Sequence, residues 1–179
     1  MTIQLADLTF EPFISAEDIQ QRAGILGDKI SLDYAGKTPL IIGVLNGSFM
    51  FLADLVKNIR LDCEIRFVRL SSYAGATETS GVVKEMLGLD DDLTGRDVIV
   101  VEDIVDTGIT LAHLLEKLYA KEASSVSVAS LLVKRAAMQR EFAELHYVGF
   151  EIEPVFVVGY GLDYQELGRN LPAIYKLVK

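Results

Sequence analysis

The sequence predicts an α/β protein in which a central parallel sheet is flanked by helices. Three observations lead to this fold class. Short apolar runs typical of strands alternate along the chain with segments of helical periodicity. The run at 98–101 is continuously apolar, as in a strand buried on both faces of a parallel sheet. The chain has 179 residues, which fits one domain of ~100–200 residues, so a single domain over residues 1–179 is expected.

The predicted elements follow one another in a regular alternation. Strands are expected at 40–45, 63–70, 98–101, 126–133 and 155–158, and helices at 16–32, 49–58 and 111–120. This order implies a doubly wound sheet, whose ligands bind beyond the carboxyl ends of the strands. The terminal segments, 1–14 and 165–179, lie outside the alternation and are expected to form a small hood.

Several of the predicted strands end in residues of unusual type. The strand at 40–45 runs into Asn46 and Gly47 before the next helix begins. The run at 126–133 ends in Lys134, and the last strand pattern contains Phe156 and Val157. Because a sheet of this kind binds ligands at one edge, these residues are expected to converge there.

The segment 71–84 is rich in small and hydroxyl residues and lies between two strand-like patterns. It is predicted to be a mobile loop. On sequence alone, an ordinary exposed hairpin connection is the competing interpretation, because most loops have no catalytic role.

Composition excludes several classes of protein. With 17 basic and 26 acidic residues the net charge is −9, which argues against general affinity for nucleic acid or anionic membranes. The single cysteine, Cys63, excludes an internal disulfide framework and a cysteine-rich metal site. The first 14 residues do not resemble a signal peptide, and no apolar run approaches the ~20 residues of a membrane span. A cytoplasmic location is therefore expected.

The most informative segment is 102–110, Glu-Asp-Ile-Val-Asp-Thr-Gly-Ile-Thr, because it joins the buried strand at 98–101 to a helix. Such a turn directs backbone N–H groups and a helix N-terminus at its ligand, so a phosphate fits there. Thr107 and Thr110 add hydroxyl donors, and Gly108 allows close approach of the backbone. The P-loop and GxGxxG patterns are absent, which disfavours ATP and dinucleotides.

Three carboxylates, Glu102, Asp103 and Asp106, stand beside this phosphate turn. They would repel a phosphate unless the ligand also carried hydroxyl groups or a divalent cation. Carboxylates accept hydrogen bonds from sugar hydroxyls, and Mg²⁺ binds one or two carboxylates together with substrate phosphates. The segment therefore favours a ribose phosphate bound with Mg²⁺.

Segment 102–110 resembles the phosphoribosyl pyrophosphate (PRPP) motif of type I phosphoribosyltransferases. Four further segments resemble the hypoxanthine phosphoribosyltransferase family in the same order, and the resemblance spans residues 10–175. These segments are Leu-Asn-Gly-Ser at 45–48, Ser-Ser-Tyr at 71–73, Leu-Val-Lys-Arg at 132–135 and Val-Val-Gly-Tyr-Gly-Leu-Asp-Tyr at 157–164. The resemblance implies the type I phosphoribosyltransferase fold.

The resemblance also implies roles for the residues of the PRPP motif. Asp106 would take the proton from purine N7 as N9 attacks the anomeric carbon and pyrophosphate leaves. Glu102 and Asp103 would hold ribose hydroxyls, directly or through Mg²⁺, and would stabilise an oxocarbenium-like transition state. The segment 107–110, which contains Thr107, Gly108, Ile109 and Thr110, would bind the phosphate.

Purine recognition is assigned by the same resemblance. Lys134 would donate to the 6-oxo group and so select 6-oxopurines over adenine. Phe156 would stack on the purine, and the backbone of Val157 would bond to its pyrimidine edge. In a closed loop, Ser72 and Tyr73 would shield the reaction from water.

Pyrophosphate recognition involves residues from two further segments. Backbone amides of Asn46 and Gly47 would bind it, with a cis or strained peptide at Asn46. Asp163 would bind a second Mg²⁺, and Arg169 would contact pyrophosphate. Some relatives carry a basic residue in place of Asn46 or Ile109, so here the backbone contacts would carry more of the binding.

Each of three residues also has a simpler interpretation. Asp106 could be the N-cap of the following helix. Lys134 could extend to solvent at the rim of the sheet, and Phe156 could belong to the core.

Taken together, these features predict a Mg²⁺-dependent purine salvage enzyme that joins hypoxanthine, and guanine as well, to PRPP. A phosphoribosyltransferase that prefers xanthine is one alternative. A non-catalytic regulator on the same fold, binding nucleotide and RNA, is another, and it would need a contiguous basic surface outside the site. The family resemblance implies a homodimer or homotetramer.

Overall fold

The computed structural model describes residues 1–72, 83–87 and 92–178, and of residues 71–72 and 83–87 it describes the backbone alone. These residues form three α-helices: α1 (Ala16–Asp33), α2 (Phe49–Lys57) and α3 (Ile109–Ala120). They also form ten strands: β1 (Ile3–Leu5), β2 (Leu8–Ile14), β3 (Leu40–Leu45), β4 (Glu64–Ser72), β5 (Val83–Leu87), β6 (Asp97–Val105), β7 (Ser125–Val133), β8 (Leu145–Glu151), β9 (Val157–Val158) and β10 (Ile174–Leu177). The described ranges contain no helix with the length and apolar character needed to cross a membrane.

The central sheet has the strand order β5-β4-β3-β6-β7-β8. Strands β4, β3, β6, β7 and β8 run parallel, and β5 is antiparallel to β4 at the edge. The predicted parallel α/β sheet is confirmed. The second sheet, β1-β2-β10-β9, is antiparallel and joins the two terminal segments, which confirms the predicted hood.

Two apolar layers cover the faces of the central sheet. Ile99 and Val101 of β6 belong to the layer that contains buried residues of α1 and α2. Val98 and Val100 belong to the layer on the opposite face, with α3. Because side chains alternate along a strand, Glu102 and Asp103 are expected on opposite faces. The alternation ends there, since Ile104 packs in the first layer and Val105 in the second.

Helix α1 begins where the sequence provides a cap. The Ser15 side chain accepts a hydrogen bond from the Asp18 backbone N–H at 3.0 Å, which satisfies one of the free donors of the first turn. The acidic residues Glu17 and Asp18 in that turn also suit the positive end of the helix dipole.

Two predicted strand boundaries were wrong. Strand β6 continues to Val105, so Glu102 and Asp103 lie inside the strand, because backbone pairing with β7 holds acids there as well as apolar residues. The pattern at 155–158 yields only β9, which pairs with β10 in the hood and does not belong to the central sheet.

The sixth strand of the central sheet, β8, was not predicted. It lies at the sheet edge and is only half-buried, so its buried residues alternate with exposed or half-buried ones, as at Leu145, His146 and Tyr147. Such a short alternating pattern, which includes Gly149, is weaker than a continuous apolar run. Strand β5 begins at Val83 and so takes in the end of the predicted loop at 71–84, and residues 73–82 of that loop lie outside the described residues.

Candidate active site

A cavity of about 220 Å³ opens at the carboxyl ends of β3 and β6. Six of its lining residues were predicted from sequence to form the site: Glu102, Asp103, Asp106, Thr107, Gly108 and Thr110. The other six are Val44, Leu45, Leu70, Ile104, Val105 and Leu111. Polar groups from one segment therefore meet an apolar wall from neighbouring elements, as expected of a small-molecule site at the edge of a parallel sheet.

Glu102 and Asp103 are consecutive in β6 and so extend from opposite faces of the sheet. The Asp103 side chain lies on the same face as Ile99 and Val101, which is the face towards α2. It contacts Gly47, which lies just before α2. A Cβ atom on Gly47 would stand 1.6 Å from Asp103 Oδ2, so no side chain fits at position 47 while Asp103 keeps its place.

The surroundings of Glu102 and Asp103 disfavour the charged form of both carboxyl groups. Burial, and secondarily the charge of Asp103, raises the pKa of Glu102 well above its usual range. Burial also raises the pKa of Asp103 to about 6, although hydrogen bonds, including one from the Ile104 N–H, oppose the shift. Two adjacent acids with raised pKa values, one buried and one half-buried, form a site that a cation would stabilise.

The donor set fits Mg²⁺ bound together with substrate. Within the described parts of the chain, no three histidine, cysteine or acidic side chains converge to enclose a metal ion. Mg²⁺ is commonly held by one or two carboxylates, with phosphate oxygens and water supplying its other ligands. Glu102 and Asp103 line the cavity and supply that number of carboxylates.

The turn after β6 presents its backbone to the cavity. Gly108 has φ 81° and is the N-cap of α3, which begins at Ile109. The ring of Phe142 packs beneath Gly108 so closely that an added Cβ would lie 2.5 Å from Phe142 Cε2. The alternative in which Asp106 is the N-cap is therefore wrong, and its side chain is available for another role.

Asp106 is paired with Lys134. The Lys134 Nζ atom donates to Asp106 Oδ2 at 2.6 Å, and the Lys134 side chain is only 10% exposed while that of Asp106 is 47% exposed. The backbone N–H of Lys134 also donates to the Val105 carbonyl, which fixes the end of β7 beside the turn. The interpretation of Lys134 as a residue extending to solvent is therefore wrong.

A second group of predicted residues meets at Gly47. The peptide bond between Leu45 and Asn46 is cis, as the resemblance implied. The carbonyl of Gly47 packs against Gly161, where a Cβ atom would lie only 1.9 Å from the oxygen. Arg169 Nη1 donates to the Gly161 carbonyl at 2.9 Å, and Arg169 Nη2 lies 2.7 Å from Asp163 Oδ1.

This group adjoins the acids of β6. The charges of Arg169 and Asp163 both act on Asp103, lowering and raising its pKa respectively. Both oxygens of Asp163 already have partners, since Oδ2 accepts the Glu166 backbone N–H at 2.8 Å. The residues predicted to bind PRPP and pyrophosphate thus form two adjoining clusters that share Asp103.

Phe156 is 43% exposed, so the interpretation of it as a core residue is wrong. Its ring contacts Tyr164 edge-on, with the centroids 5.9 Å apart. The Leu177 N–H donates to the Phe156 carbonyl, and hydrogen-bonded pairs alternate along an antiparallel ladder. The polar backbone groups of Val157, in the last strand of its sheet, therefore face away from β10.

Not every predicted site residue lines the main cavity. Ile109 is 45% exposed and lines a separate surface hollow with His113, Gln139 and Arg140. Seven predicted residues lie outside the cavity lining: Asn46, Gly47, Lys134, Phe156, Val157, Asp163 and Arg169. Lys134 reaches the cavity through Asp106, and Gly47 reaches it through Asp103. The side chain of Ser72 and all of Tyr73 lie outside the described residues.

Sequence reasoning gave no role to two residues that shape the site. Phe142 supports Gly108 from below, and Gly161 supports the Gly47 carbonyl. Phe142 lies in a polar stretch far from the motif and carried no recognisable signal. Gly161 stands between Tyr160 and Leu162, and its positive φ of 100° gives a reason for glycine that only the backbone reveals.

The sequence-family model for the phosphoribosyl transferase domain matches residues 15–165 of this chain. The chain belongs to the phosphoribosyl transferase family. Within this family, the hypoxanthine-guanine phosphoribosyltransferase of Bacillus subtilis is 43% identical over 161 residues, which cover 90% of this chain and 89% of the relative.

Solved phosphoribosyltransferase structures share the fold over nearly the whole chain. The crystal structure of a hypoxanthine-guanine phosphoribosyltransferase from Bacillus anthracis has a TM-score of 0.87 and 40% identity, and the match covers 94% of this chain and 98% of the other. That of a hypoxanthine phosphoribosyltransferase from Staphylococcus aureus has a TM-score of 0.88 and 41% identity, covering 94% and 91%.

Proposed function

We propose that this protein is a Mg²⁺-dependent purine salvage enzyme that transfers the 5-phosphoribosyl group of PRPP to N9 of hypoxanthine or guanine. The bond between N9 and the anomeric carbon forms with inversion as the bond from that carbon to pyrophosphate breaks, giving IMP or GMP. The observation that carries the proposal is the Lys134–Asp106 pair beside the phosphate turn, in a chain so similar to enzymes with this name.

The paired side chains suit a 6-oxopurine. Asp106, nearly half exposed, accepts the proton that the purine loses at N7 when N9 attacks. The ammonium group of Lys134 has three donors and uses one on Asp106, so another can reach the 6-oxo oxygen. The amino group of adenine cannot accept that bond, which leaves a buried donor unpaired and disfavours adenine.

The phosphate of PRPP binds at the turn before α3. Backbone N–H groups of Thr107, Gly108, Ile109 and Thr110 precede or begin the helix and are supported by its dipole. Gly108, with no side chain and with φ 81°, gives the phosphate close access to the backbone.

Glu102 and Asp103 hold the ribose hydroxyls and Mg²⁺. When bound, the metal would neutralise phosphate charge and help pyrophosphate to leave. The two carboxylates stabilise the positive charge that develops on the ribose ring as the leaving group departs. The burial of Glu102 strengthens this interaction because little water screens it.

Pyrophosphate is bound by the cluster around Gly47. The backbone amides of Asn46 and Gly47 donate to it, and Arg169, with Nη2 held by Asp163, supplies a positive charge. Asp163 binds a second Mg²⁺ through the acceptor capacity that its two hydrogen-bonding partners leave. Neither Asn46 nor Ile109 is charged, so binding rests on backbone donors to a greater extent than in relatives with basic residues there.

The purine lies against the exposed ring of Phe156, and the free backbone groups of Val157 bond to its pyrimidine edge. A closed loop that carries Ser72 and Tyr73 would exclude water from the reaction. Turnover of guanine compared with that of xanthine distinguishes this enzyme from one that prefers xanthine.

Self-association to a homodimer or homotetramer is part of this proposal. Three large apolar side chains of neighbouring elements are exposed: Phe49 of α2 by 42%, Ile65 of β4 by 40% and Phe67 of β4 by 47%. Analytical ultracentrifugation of the wild type and of Phe67→Ser tests this, with a shift to monomer expected in the variant. We also place the enzyme in the cytoplasm, which the free Cys63 suits.

The alternative of an RNA-binding regulator finds no support on the described surface. A basic RNA-binding face needs Lys and Arg side chains that are not neutralised. Many of the basic side chains are instead paired with acids: Lys29, Lys37, Lys57, Arg60, Arg66, Arg96, Lys134, Arg135, Arg169 and Lys176.

The test is release of pyrophosphate from Mg²⁺-PRPP with hypoxanthine, guanine, xanthine and adenine in parallel. Wild type should turn over the first two bases, Asp106→Asn should lose a factor of about 10²–10⁴, and Lys134→Ala should lose its preference against adenine. Binding of PRPP without turnover of any base would overturn the proposal in favour of a binding protein.

A further inference from the structure

Tyr160 stands in a positive-φ conformation between two glycines, and its side chain is buried. Its hydroxyl does not point into the active-site cavity. It donates instead to Asp54 Oδ2 of α2 at 2.6 Å. Simple packing would be satisfied by a phenylalanine, so the hydroxyl and its partner require a further explanation.

Asp54 collects several donors at this point. Gln20 of α1 donates to Asp54 Oδ2 at 2.5 Å, and Lys57 donates to Asp54 Oδ1 at 2.8 Å. The hydroxyl of Tyr160 therefore ends on a carboxylate that is itself fixed by two helices. A hydrogen bond to a charged and well-held acceptor is among the stronger ones in a protein.

Together with the backbone, these contacts form a closed ring that passes through Gly47 of the pyrophosphate cluster. From Gly47 the chain continues through Ser48 into α2 and reaches Asp54. Asp54 holds Tyr160, the next residue is Gly161, and Gly161 packs on the carbonyl of Gly47. The contact between Gly47 and Gly161 is thus clamped from both sides.

The same clamp extends to the charged residues of the cluster. The backbone N–H of Tyr160 donates to the Leu171 carbonyl, and that of Gly161 donates to the Arg169 carbonyl, both at 2.9 Å. Arg169 returns a side-chain hydrogen bond to the Gly161 carbonyl. A displacement of Tyr160 would therefore move Gly161 and Arg169 relative to Gly47.

We infer that Tyr160, through Asp54, is a positioning residue that sets the geometry of the pyrophosphate subsite formed by Asn46, Gly47 and Arg169. The inference rests on the proposed binding of pyrophosphate at that cluster. It predicts that removal of the Tyr160 hydroxyl, which is bonded to Asp54 and not to a subsite residue, weakens the binding of PRPP and pyrophosphate. The affinity of the purine site should not change.

The chain offers a matched control for this hydroxyl. Tyr147 is also buried and donates to a helix carboxylate, Asp33 Oδ2, at 2.9 Å. That pair joins the start of β8 to the end of α1, and neither element contains Asn46, Gly47, Gly161 or Arg169. Tyr147→Phe and Tyr160→Phe therefore remove the same kind of bond, and only the second removes it from the clamp.

The experiment measures the KM for PRPP, the KM for hypoxanthine, kcat and the thermal midpoint for wild type and both variants. Binding of Mg²⁺-pyrophosphate is measured in parallel by calorimetry. Tyr160→Phe is expected to raise the KM for PRPP and the Kd for pyrophosphate by about tenfold, which corresponds to ~1.4 kcal/mol, with the KM for hypoxanthine within about twofold. Tyr147→Phe should leave all three constants within about twofold of wild type. Asp54→Asn, which keeps an acceptor for Tyr160, should fall between wild type and Tyr160→Phe.

Two results would overturn the inference. One is a Tyr160→Phe enzyme whose constants match those of Tyr147→Phe, and the other is an equal rise in the KM for both substrates. Failure of the proposed function has a different signature, because the wild type itself would then release no pyrophosphate with any base.

Discussion

Polar side chains have different surroundings at the two ends of the central strands, which we call the amino edge and the carboxyl edge of the sheet. At the amino edge, polar side chains find partners: the Tyr34 hydroxyl donates to Ser127 Oγ at 2.9 Å, and Ser127 Oγ lies 3.0 Å from His146 Nδ1. At the carboxyl edge, the same strand that Asp97 begins carries a buried Glu102 and a half-buried Asp103, and the pKa values of both are raised. The first edge stabilises the fold, and the second keeps unfavourable charge ready for a ligand.

The glycines support this comparison. At the carboxyl edge, side chains are excluded at Gly47, Gly108 and Gly161 because each of these residues touches another part of the site. Gly24 in α1, on the other hand, has only the side chain of Asn58 near its virtual Cβ, at 3.8 Å. A substitution should therefore be costly for function at the first three positions and tolerated at the last.

The largest effect is expected for Gly47→Ala. The new methyl group would lie 1.6 Å from Asp103 Oδ2, so either the carboxylate or the Asn46–Gly47 turn must move. We expect kcat/KM for PRPP to fall at least about 100-fold, because a displacement of about 1 Å at a positioned site can cost that much. Steady-state pyrophosphate release measures this, with Gly24→Ala as the control that retains wild-type turnover. Activity within a few-fold of wild type in Gly47→Ala would show that the close contact is unimportant.

The next largest effect is a gain in the free energy of unfolding, expected for Asp103→Asn. Asp103 has a pKa raised to about 6 from 3.8, so its contribution to folding is fully present below pH 3.8 and is lost as the pH rises through 6. Asp103→Asn removes this cost, and we expect the metal-free variant to gain up to about 3 kcal/mol at pH 8 while losing activity.

Denaturant unfolding of the metal-free protein between pH 4 and pH 8 tests this expectation. Wild type should lose stability across that range, and Asp103→Asn should lose less because only Glu102 then titrates with a raised pKa. Saturating Mg²⁺-PRPP should reverse the order of the two proteins, since only wild type binds it well. Equal slopes with pH in the two proteins would contradict a raised pKa at Asp103.

Much of the difference between the two edges could be predicted from the sequence. The apolar run at 98–101 followed by acids and a glycine identified the strand, the turn and the chemistry, because burial and ligand binding both demand specific residue types there. Edge strand β8 was not predicted, since its half-buried pattern is short and ambiguous, and the strand predicted at 155–158 is the two-residue β9 of the hood. The support of Gly108 by Phe142 and of Gly47 by Gly161 depends on contacts between distant segments, which carry no local pattern.

The smallest effect is expected at the amino edge, for Tyr34→Phe. Tyr34 is buried and its hydroxyl donates to Ser127 Oγ, which is also hydrogen-bonded to His146, so the variant leaves Ser127 with a partner. We expect a loss of about 1 kcal/mol in the free energy of unfolding and no change in kcat or in the KM for either substrate. Thermal unfolding and steady-state kinetics on one preparation give both values. A changed KM for PRPP would mean that the two edges are coupled through β7, because Ser127 lies near the start of this strand and Lys134 directly follows its end. An unchanged KM would confirm that the sheet separates the edge that stabilises the fold from the edge that binds substrate.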